Sequence, residues 1–335
     1  MKGADRVFAY GAALGFLGDL LTGDPRRGHP VAGFGRAAGA LERRMWRDDR
    51  LSGAAFTALC VGGAVGSALL AERAVRGRAA LSAGLTGLAA WSVLGGTSLA
   101  REARTIGAAL EAGDLAAARA RLPHLCGRDP AGLDADGIAR AVVASVAENT
   151  SDAVVGALVW GGLYGVPGLV GFRAVNTLDA MVGHKSPRYA RFGWASARLD
   201  DAVGYPGARL TAALTVLCGP HPRSALTTCR RDARRHPSPN AGPVEAAFAG
   251  ALRLRLGGDL SYAGRAEHRP VLGASFRAPT AADIPRAVRL SRRVSALALC
   301  SSVALAVSRG RGPAAVRAAV RRAAVRGTRK GVAGS

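Results

Sequence analysis

Three windows of this chain, residues 51–71, 79–100 and 153–172, contain no charged side chain at all. Each is about twenty residues long, the length an α-helix needs to cross the hydrocarbon core of a bilayer. A soluble helix of that length normally shows one face to water and carries charge there. Two further windows come close: residues 7–21 are interrupted only by Asp19, and residues 202–218 only by Arg209. Residues 294–308 form a shorter uncharged run that could lie in the membrane interface. The windows are built of Gly and Ala more than Leu, and small residues let helix backbones approach closely in lipid. The expectation is an all-α, polytopic helical membrane protein. The competing reading, a soluble protein with buried Ala-rich helices, does not account for uncharged windows this long.

Charge is the second constraint. The formal net charge is +23, almost all of it from Arg, with lysine only at Lys2, Lys185 and Lys330. Such a balance suggests nucleic acid, because cations on a protein release counterions from phosphates. Aromatic residues make up only 5% of the chain, too few to build the stacking surfaces of a single-strand binder. A bilayer explains the charge better, since Arg in cytoplasmic loops orients the spans and attracts anionic lipid. We expect a lipid bilayer as partner and no nucleic acid. The five cysteines form no C-x-x-C pair, which argues against a zinc site or a disulfide framework. The segment after Lys2 and Arg6 superficially resembles a secretory signal, but Asp19 and Asp24 close it and no A-x-A site follows. It is read as a retained first membrane segment.

The apolar windows divide the chain into polar intervals at residues 22–50, 101–152 and 219–293. The first is rich in arginine, which places it on the cytoplasmic side, and the second returns to that side. A simple crossing by residues 153–172 would then carry the polar segment 173–201 to the opposite face. Gly165-Val166-Pro167-Gly168 lies inside that window, and Pro with Gly can break a helix there. A broken or re-entrant hairpin that brings Arg173 back to the face it left is therefore expected. Residues 1–308 are read as one integral-membrane domain with cytoplasmic helical and loop regions, and residues 309–335 as an Arg/Ala-rich basic tail.

The candidate chemistry flanks this hairpin. Glu148 and Asp152 are four residues apart, so on a continuous helix their carboxylates share a face. Two such acids with no cation between them repel, and a divalent cation would relieve the repulsion. Mg²⁺ suits such a site, because it binds through one or two carboxylates plus substrate phosphates. A polar helix end capped by Asn149, Thr150 and Ser151 fits the same residues. On the other side of the window Arg173, Asn176 and Asp179 recur every third residue and share a face, with His184 and Lys185 shortly after. Charges beside a membrane segment are costly and usually serve a site or a pairing network. Of the adjacent acids Asp200 and Asp201, only one is expected to face a site. His29, in the turn Gly28-His29-Pro30, is a candidate phosphate contact or general base, and the rigid loop from His236 to Pro243 offers backbone amides to an anion.

Taken in order, DLLTGDPRRGHPV (residues 19–31), ENTSDAVV (148–155), RAVNTLDAMVG (173–183), YARFGWASARLDD (189–201) and HPSPNAGPVEAAFAG (236–250) resemble the successive motifs of a known family. This is the adenosylcobinamide-phosphate synthase family, the CobD/CbiB membrane proteins of cobalamin biosynthesis. Leu256-Gly257-Gly258 with Tyr262 and Gly264 is similar too. The resemblance implies an ATP-dependent ligase that joins adenosylcobyric acid to (R)-1-amino-2-propanol phosphate. ATP would be co-substrate, Mg²⁺ the metal, the corrinoid and aminopropanol phosphate the partners, and other enzymes of the pathway candidate associates. The cell membrane would be the location, with the active face cytoplasmic. The resemblance marks positions without assigning tasks, and residue type and clustering suggest them. Glu148, Asp152 and Asp179 are assigned to metal. Arg173, Arg198, Asn149, Asn176 and Asn240 are assigned to substrate and phosphate, and Lys185, His29 and Asp201 to catalysis. A transporter or a non-catalytic signalling relative on the same scaffold is the alternative.

Overall fold

A computed structural model describes residues 3–24, 28–127, 129–184, 186–262 and 265–331, without the side chains of 3–5, 259–262, 265–268 and 309–331. The chain opens with α1 (Gly3–Thr22), α2 (Pro30–Met45), α3 (Arg50–Ala74) and α4 (Ala79–Val93). It continues through α5 (Gly96–Glu111), α6 (Leu115–Arg121) and α7 (Ala135–Thr150), then α8 (Gly156–Tyr164) and α9 (Val166–Leu178). The last helices are α10 (Trp194–Cys218), α11 (Pro222–Asp232), α12 (Ala241–Leu252) and α13 (Ile284–Gly331). Arg50–Ala74, Ala79–Glu111, Ala135–Tyr164 and Ala281–Ser308 are each long and apolar enough to cross a membrane. The protein is an all-α membrane protein, as its uncharged windows require.

Two of those windows are remodelled by packing. The window at 79–100 is bent at Leu94-Gly95 between α4 and α5, where the Gly95 N–H donates to the Ala153 carbonyl at 3.2 Å. The short run at 294–308 is part of the continuous helix from Ala281 to Ser308, so it has the length to cross and not only to lie in the interface. The backbone of α13 remains helical through the basic stretch to Gly331.

Small residues set the helix spacing. A Cβ on Gly15 of α1 would fall 2.5 Å from the Cβ of Ala90, and one on Gly11 the same distance from the Cβ of Thr86. This Gly-xxx-Gly row lets the α1 and α4 backbones meet closely where leucines would hold them apart. The central core is Ala- and Val-rich: Ile138, Val142, Val143 and Val146 of α7 are fully enclosed by α5, α12 and α13. Leu14, Leu17, Leu20 and Leu21 of α1 point outward, as a lipid-facing row would.

The hairpin expected from Gly165–Gly168 is present. Gly165 takes φ 71° and ψ −145°, a conformation open to glycine, and ends α8. The chain reverses there, and α9 packs back along α8. Glu72 at the end of α3 accepts a hydrogen bond from the Val166 N–H at 2.9 Å, capping the new helix.

One element was not expected from the sequence. Strands β1 (Leu256–Tyr262) and β2 (Arg265–Leu272) form an antiparallel ribbon with a bulge at Leu256–Gly258, where Gly257 and Gly258 have φ of 77° and 87°. Asp232 ties the ribbon to α11, since its buried carboxylate accepts from the Gly273 N–H at 2.9 Å while the Arg231 guanidinium holds its pKa below the usual range.

Candidate active site

The helical path does not stop at Thr150. It widens into one π-helical turn, Ser151–Val155, before resuming as α8. The second leg of the hairpin also ends in a π-helical turn, Asp179–Gly183. Such turns open the backbone by one residue and recur at functional sites. Each acidic motif flanking the hairpin therefore sits on a locally widened helix. Gly183 is needed for the second: a Cβ there would fall 1.9 Å from Oδ1 of Asp179.

The hairpin brings the two motifs together, and α10 adds a third. Asp152 lies within electrostatic reach of Glu148, Asp200 and Asp179. Asp179 is likewise within reach of Asp201, Glu148 and His184. Asn176 bridges two of the segments, because it accepts from Nη1 of Arg173 at 3.4 Å and hydrogen-bonds the Asp200 side chain. Asp200, outside the four candidate spans, has its pKa pushed up to about 7. Burial is the main cause, followed by the negative charge of Asp179, and the Asn176 hydrogen bond opposes them.

Both members of the Asp200-Asp201 pair reach the cluster, which differs from the expectation of one facing acid. Asp200, the one not singled out from the sequence, is the more deeply engaged. Ser196, Asp200 and Gly204 are spaced by four and so share one face of α10, which the structure shows to be the packed one. Ser196 on that row is fully buried and shares a 2.8 Å hydrogen bond with Thr57 of α3.

Five carboxylates with few cations among them form a hard oxygen-donor set. Among the described residues, no group of three or more His, Cys, Asp or Glu is placed to hold a metal ion, so the expected triad of Glu148, Asp152 and Asp179 does not form a metal cage of its own. Mg²⁺ needs less from a protein, since it binds through one or two carboxylates and completes its shell with substrate phosphates and water.

Beside the acids opens a cavity of about 840 Å³, lined by Arg36, Arg43, Arg173, Asp24 and His29. Arg173 faces both features, since the charges of Asp24 and Asp152 both act on its guanidinium. Its Nε is buried with no hydrogen-bond partner among the described residues, and Nη2 packs 3.4 Å from where a Gly95 Cβ would stand. A buried guanidinium with an unused donor is suited to a phosphate or carboxylate arriving from the cavity. His29 caps α2: its Nδ1 accepts from the Val31 N–H at 3.1 Å, and Nε2 stands 3.6 Å from Oδ1 of Asp24. That leaves Nε2 as the nitrogen able to exchange a proton.

The other candidates fall outside this arrangement or support it indirectly. Asn149 turns back along α7 and donates to the Ser145 carbonyl at 3.0 Å, which is a role in the helix. Asn240 donates to the Asp201 carbonyl at 2.9 Å and accepts from Arg209 at 3.2 Å, so it positions α10 beneath the acids. Arg198 is exposed on α10, and no hydrogen bond or ion pair links it to the acids. Lys185 lies outside the described residues. His236, on the second Pro-rich loop, is buried 3.7 Å from Glu245.

The model of the "CobD/Cbib protein" family matches residues 12–291. The chain is 54% identical over 305 residues to a "Cobalamin biosynthesis protein CobD" of Mycobacterium tuberculosis, covering 90% of this chain and 96% of the relative. Proteins of the same description from Chromobacterium violaceum and Rhodobacter capsulatus are 43% and 41% identical, covering 88% and 83% of this chain and 95% and 91% of theirs. No solved structure matches the chain. All five acids lie within the matched region, as do Arg173 and His29, and the chain belongs to the CobD/Cbib family of cobalamin biosynthesis proteins.

Proposed function

We propose that the protein is the ATP-dependent ligase that joins a propionate carboxylate of adenosylcobyric acid to the amine of (R)-1-amino-2-propanol phosphate, giving adenosylcobinamide phosphate. One observation carries this reading above others: a cluster of acids and a large arginine-lined cavity share Arg173 at their boundary. Phosphates and carboxylates need both neighbours, cations to bind them and acids to hold their counter-metal.

A carboxylate resists attack by an amine, so it is first activated. The γ-phosphoryl group of ATP passes to a carboxylate oxygen, giving an acyl phosphate and ADP. The amine then attacks the acyl carbon, the C–N bond forms, and the C–O bond to phosphate breaks. Mg²⁺, when bound, would offset the negative charge of the phosphates. One or two of Glu148, Asp152 and Asp179 would supply its carboxylate ligands, with Asp200 beside them. Arg173 anchors a phosphate at the cavity wall, and Arg36 and Arg43 draw anions into it. The amine arrives as an ammonium and must shed a proton before attack. Asp201, beside Asp179, and His29, whose Nε2 stands 3.6 Å from Asp24, are the groups to accept it. Asn176 holds Asp200 and Arg173 in register.

The site opens toward the arginine-rich segment that follows α1, which the positive-inside tendency puts on the cytoplasmic face of the cell membrane. The test is product formation by the purified, detergent-solubilised protein, with ATP, corrinoid and aminopropanol phosphate omitted in turn. Amide product that depends on all three is the expected result. Substrate binding or movement across a vesicle without amide formation would overturn the assignment in favour of a transporter.

A further inference from the structure

A second cationic site lies outside this machinery, where α1, α5 and α13 meet. Arg101 and Arg104 project from α5, Arg292 from α13, and together with Thr97 and Thr105 they line a cavity of about 420 Å³. Arg289, one turn before Arg292, acts on Arg104 as well. The acids nearby are largely committed elsewhere. Glu102 is paired with Arg121 at 2.8 Å and with His124, while Asp283 is paired with Arg277 and Arg286. Asp19 lies at the inner edge, within reach of Arg101, and is fastened to the Thr97 N–H at 3.1 Å. Three arginines therefore line the cavity against one buried acid, with the exposed Arg289 within reach of Arg104, and like charges assembled in this way favour an anion between them.

The cavity continues into a groove. A crevice of about 210 Å³ shares Thr97 and Arg292 with it and runs between α1 and α13 past Phe16, Leu20 and Ala296. The position along the chain matches this change of character. Arg292 and Arg293 immediately precede the uncharged residues 294–308, and Arg101 follows the uncharged residues 79–100. Arg101 and Arg292 thus lie within the candidate spans Ala79–Glu111 and Ala281–Ser308, each bordering that span's uncharged run, and the crevice extends past Ala296 along the uncharged run of α13. A charged pocket opening into an apolar crevice at that level has the shape of an amphiphile.

We propose that this site binds an anionic phospholipid, its headgroup phosphate on Arg101, Arg104 and Arg292 and one acyl chain along Phe16, Leu20 and Ala296. The site is separate from the proposed ligation chemistry, and its occupancy is measured without turnover.

The test uses the full chain, delipidated in detergent, with bound lipid counted by native mass spectrometry after addition of phosphatidylglycerol or phosphatidylcholine. Phosphatidylglycerol is expected to be retained in preference, and the Arg104→Gln/Arg292→Gln variant to lose affinity by about fivefold for each arginine removed. Arg104→Lys/Arg292→Lys should keep most of the affinity, which separates lost charge from misfolding. Ala296→Trp, which fills the crevice, should weaken lipid binding and leave glycerol 1-phosphate binding unchanged. Equal retention of the two lipids, or phosphatidylglycerol binding unaffected by the double Gln variant, would overturn the proposal. Glycerol 1-phosphate binding as tightly as the lipid, with Ala296→Trp silent, would also overturn it and assign the arginines to a free phosphate.

Discussion

Glu72 and Val166 are ninety-four positions apart, yet the Val166 N–H donates to Oε1 of Glu72 at 2.9 Å. This contact fastens the apex of the hairpin to the end of α3. It also explains how a chain can reverse at Gly165 inside an apolar segment, where an unpaired N–H is expensive. Replacing Glu72 with Ala leaves that donor without its acceptor. The expected loss is about 1–3 kcal/mol of stability, read as a lower unfolding temperature in detergent. Glu72→Gln, which keeps a carbonyl oxygen, should recover most of it.

Gly183→Ala should be far more damaging to function than to folding. The added methyl would overlap Oδ1 of Asp179 at 1.9 Å and push the carboxylate from its place. Displacement of a reacting or metal-holding group by about 1 Å commonly lowers turnover on the order of a hundredfold. Ligation assays alongside a melting curve separate the two effects, and a variant with full turnover would show that Asp179 is not where the chemistry occurs.

Arg173 should not be replaceable by Lys. Its buried Nε and its Nη1 contact with Asn176 use the planar fork of a guanidinium, which an ammonium cannot reproduce. Arg173→Lys is expected to raise the KM for the phosphorylated substrates by about tenfold, equal to about 1.4 kcal/mol of binding. Arg173→Gln should cost more.

Asp200 predicts a pH dependence of stability. Its pKa is about 7 in the folded protein against 3.8 in a free chain, so between these values the folded state binds more protons than the unfolded one. Stability contributed by the protonated acid is therefore present at low pH and declines as pH rises from about 4 through 7. Asp200→Asn should remove that part of the slope. Mg²⁺ should offset the decline at pH 8, because a cation near the cluster favours the ionised form. Unfolding temperatures at pH 5 and pH 8, with and without Mg²⁺, measure both effects.

Much of this arrangement could be read from the residues. Uncharged windows announced the membrane helices, and Gly165-Val166-Pro167-Gly168 announced the reversal, because few backbones other than glycine reach φ 71°. Three features were not legible. The π-helical turns at Ser151–Val155 and Asp179–Gly183 arise from fitting neighbouring helices together, and no local propensity marks them. The ribbon at Leu256–Leu272 depends on pairing across its bulge, while its own sequence mixes glycine with charge. Asp200 was passed over because an Asp-Asp pair looks symmetric until the packed face of α10 is known. Asn149 and Asn240 had the right chemistry for substrate, yet their hydrogen bonds go to Ser145 and to the Asp201 backbone.

The central claim is that carboxylates from both legs of the hairpin, Glu148 and Asp179, act together on one metal-dependent ligation. Its most direct measurement is the Mg²⁺ dependence of amide formation in purified wild-type protein, Glu148→Gln and Asp179→Asn. Both variants are expected to fold, to lose most of their turnover, and to need more Mg²⁺ for what remains. Full activity in either variant, with the Mg²⁺ requirement of the wild type, would contradict it.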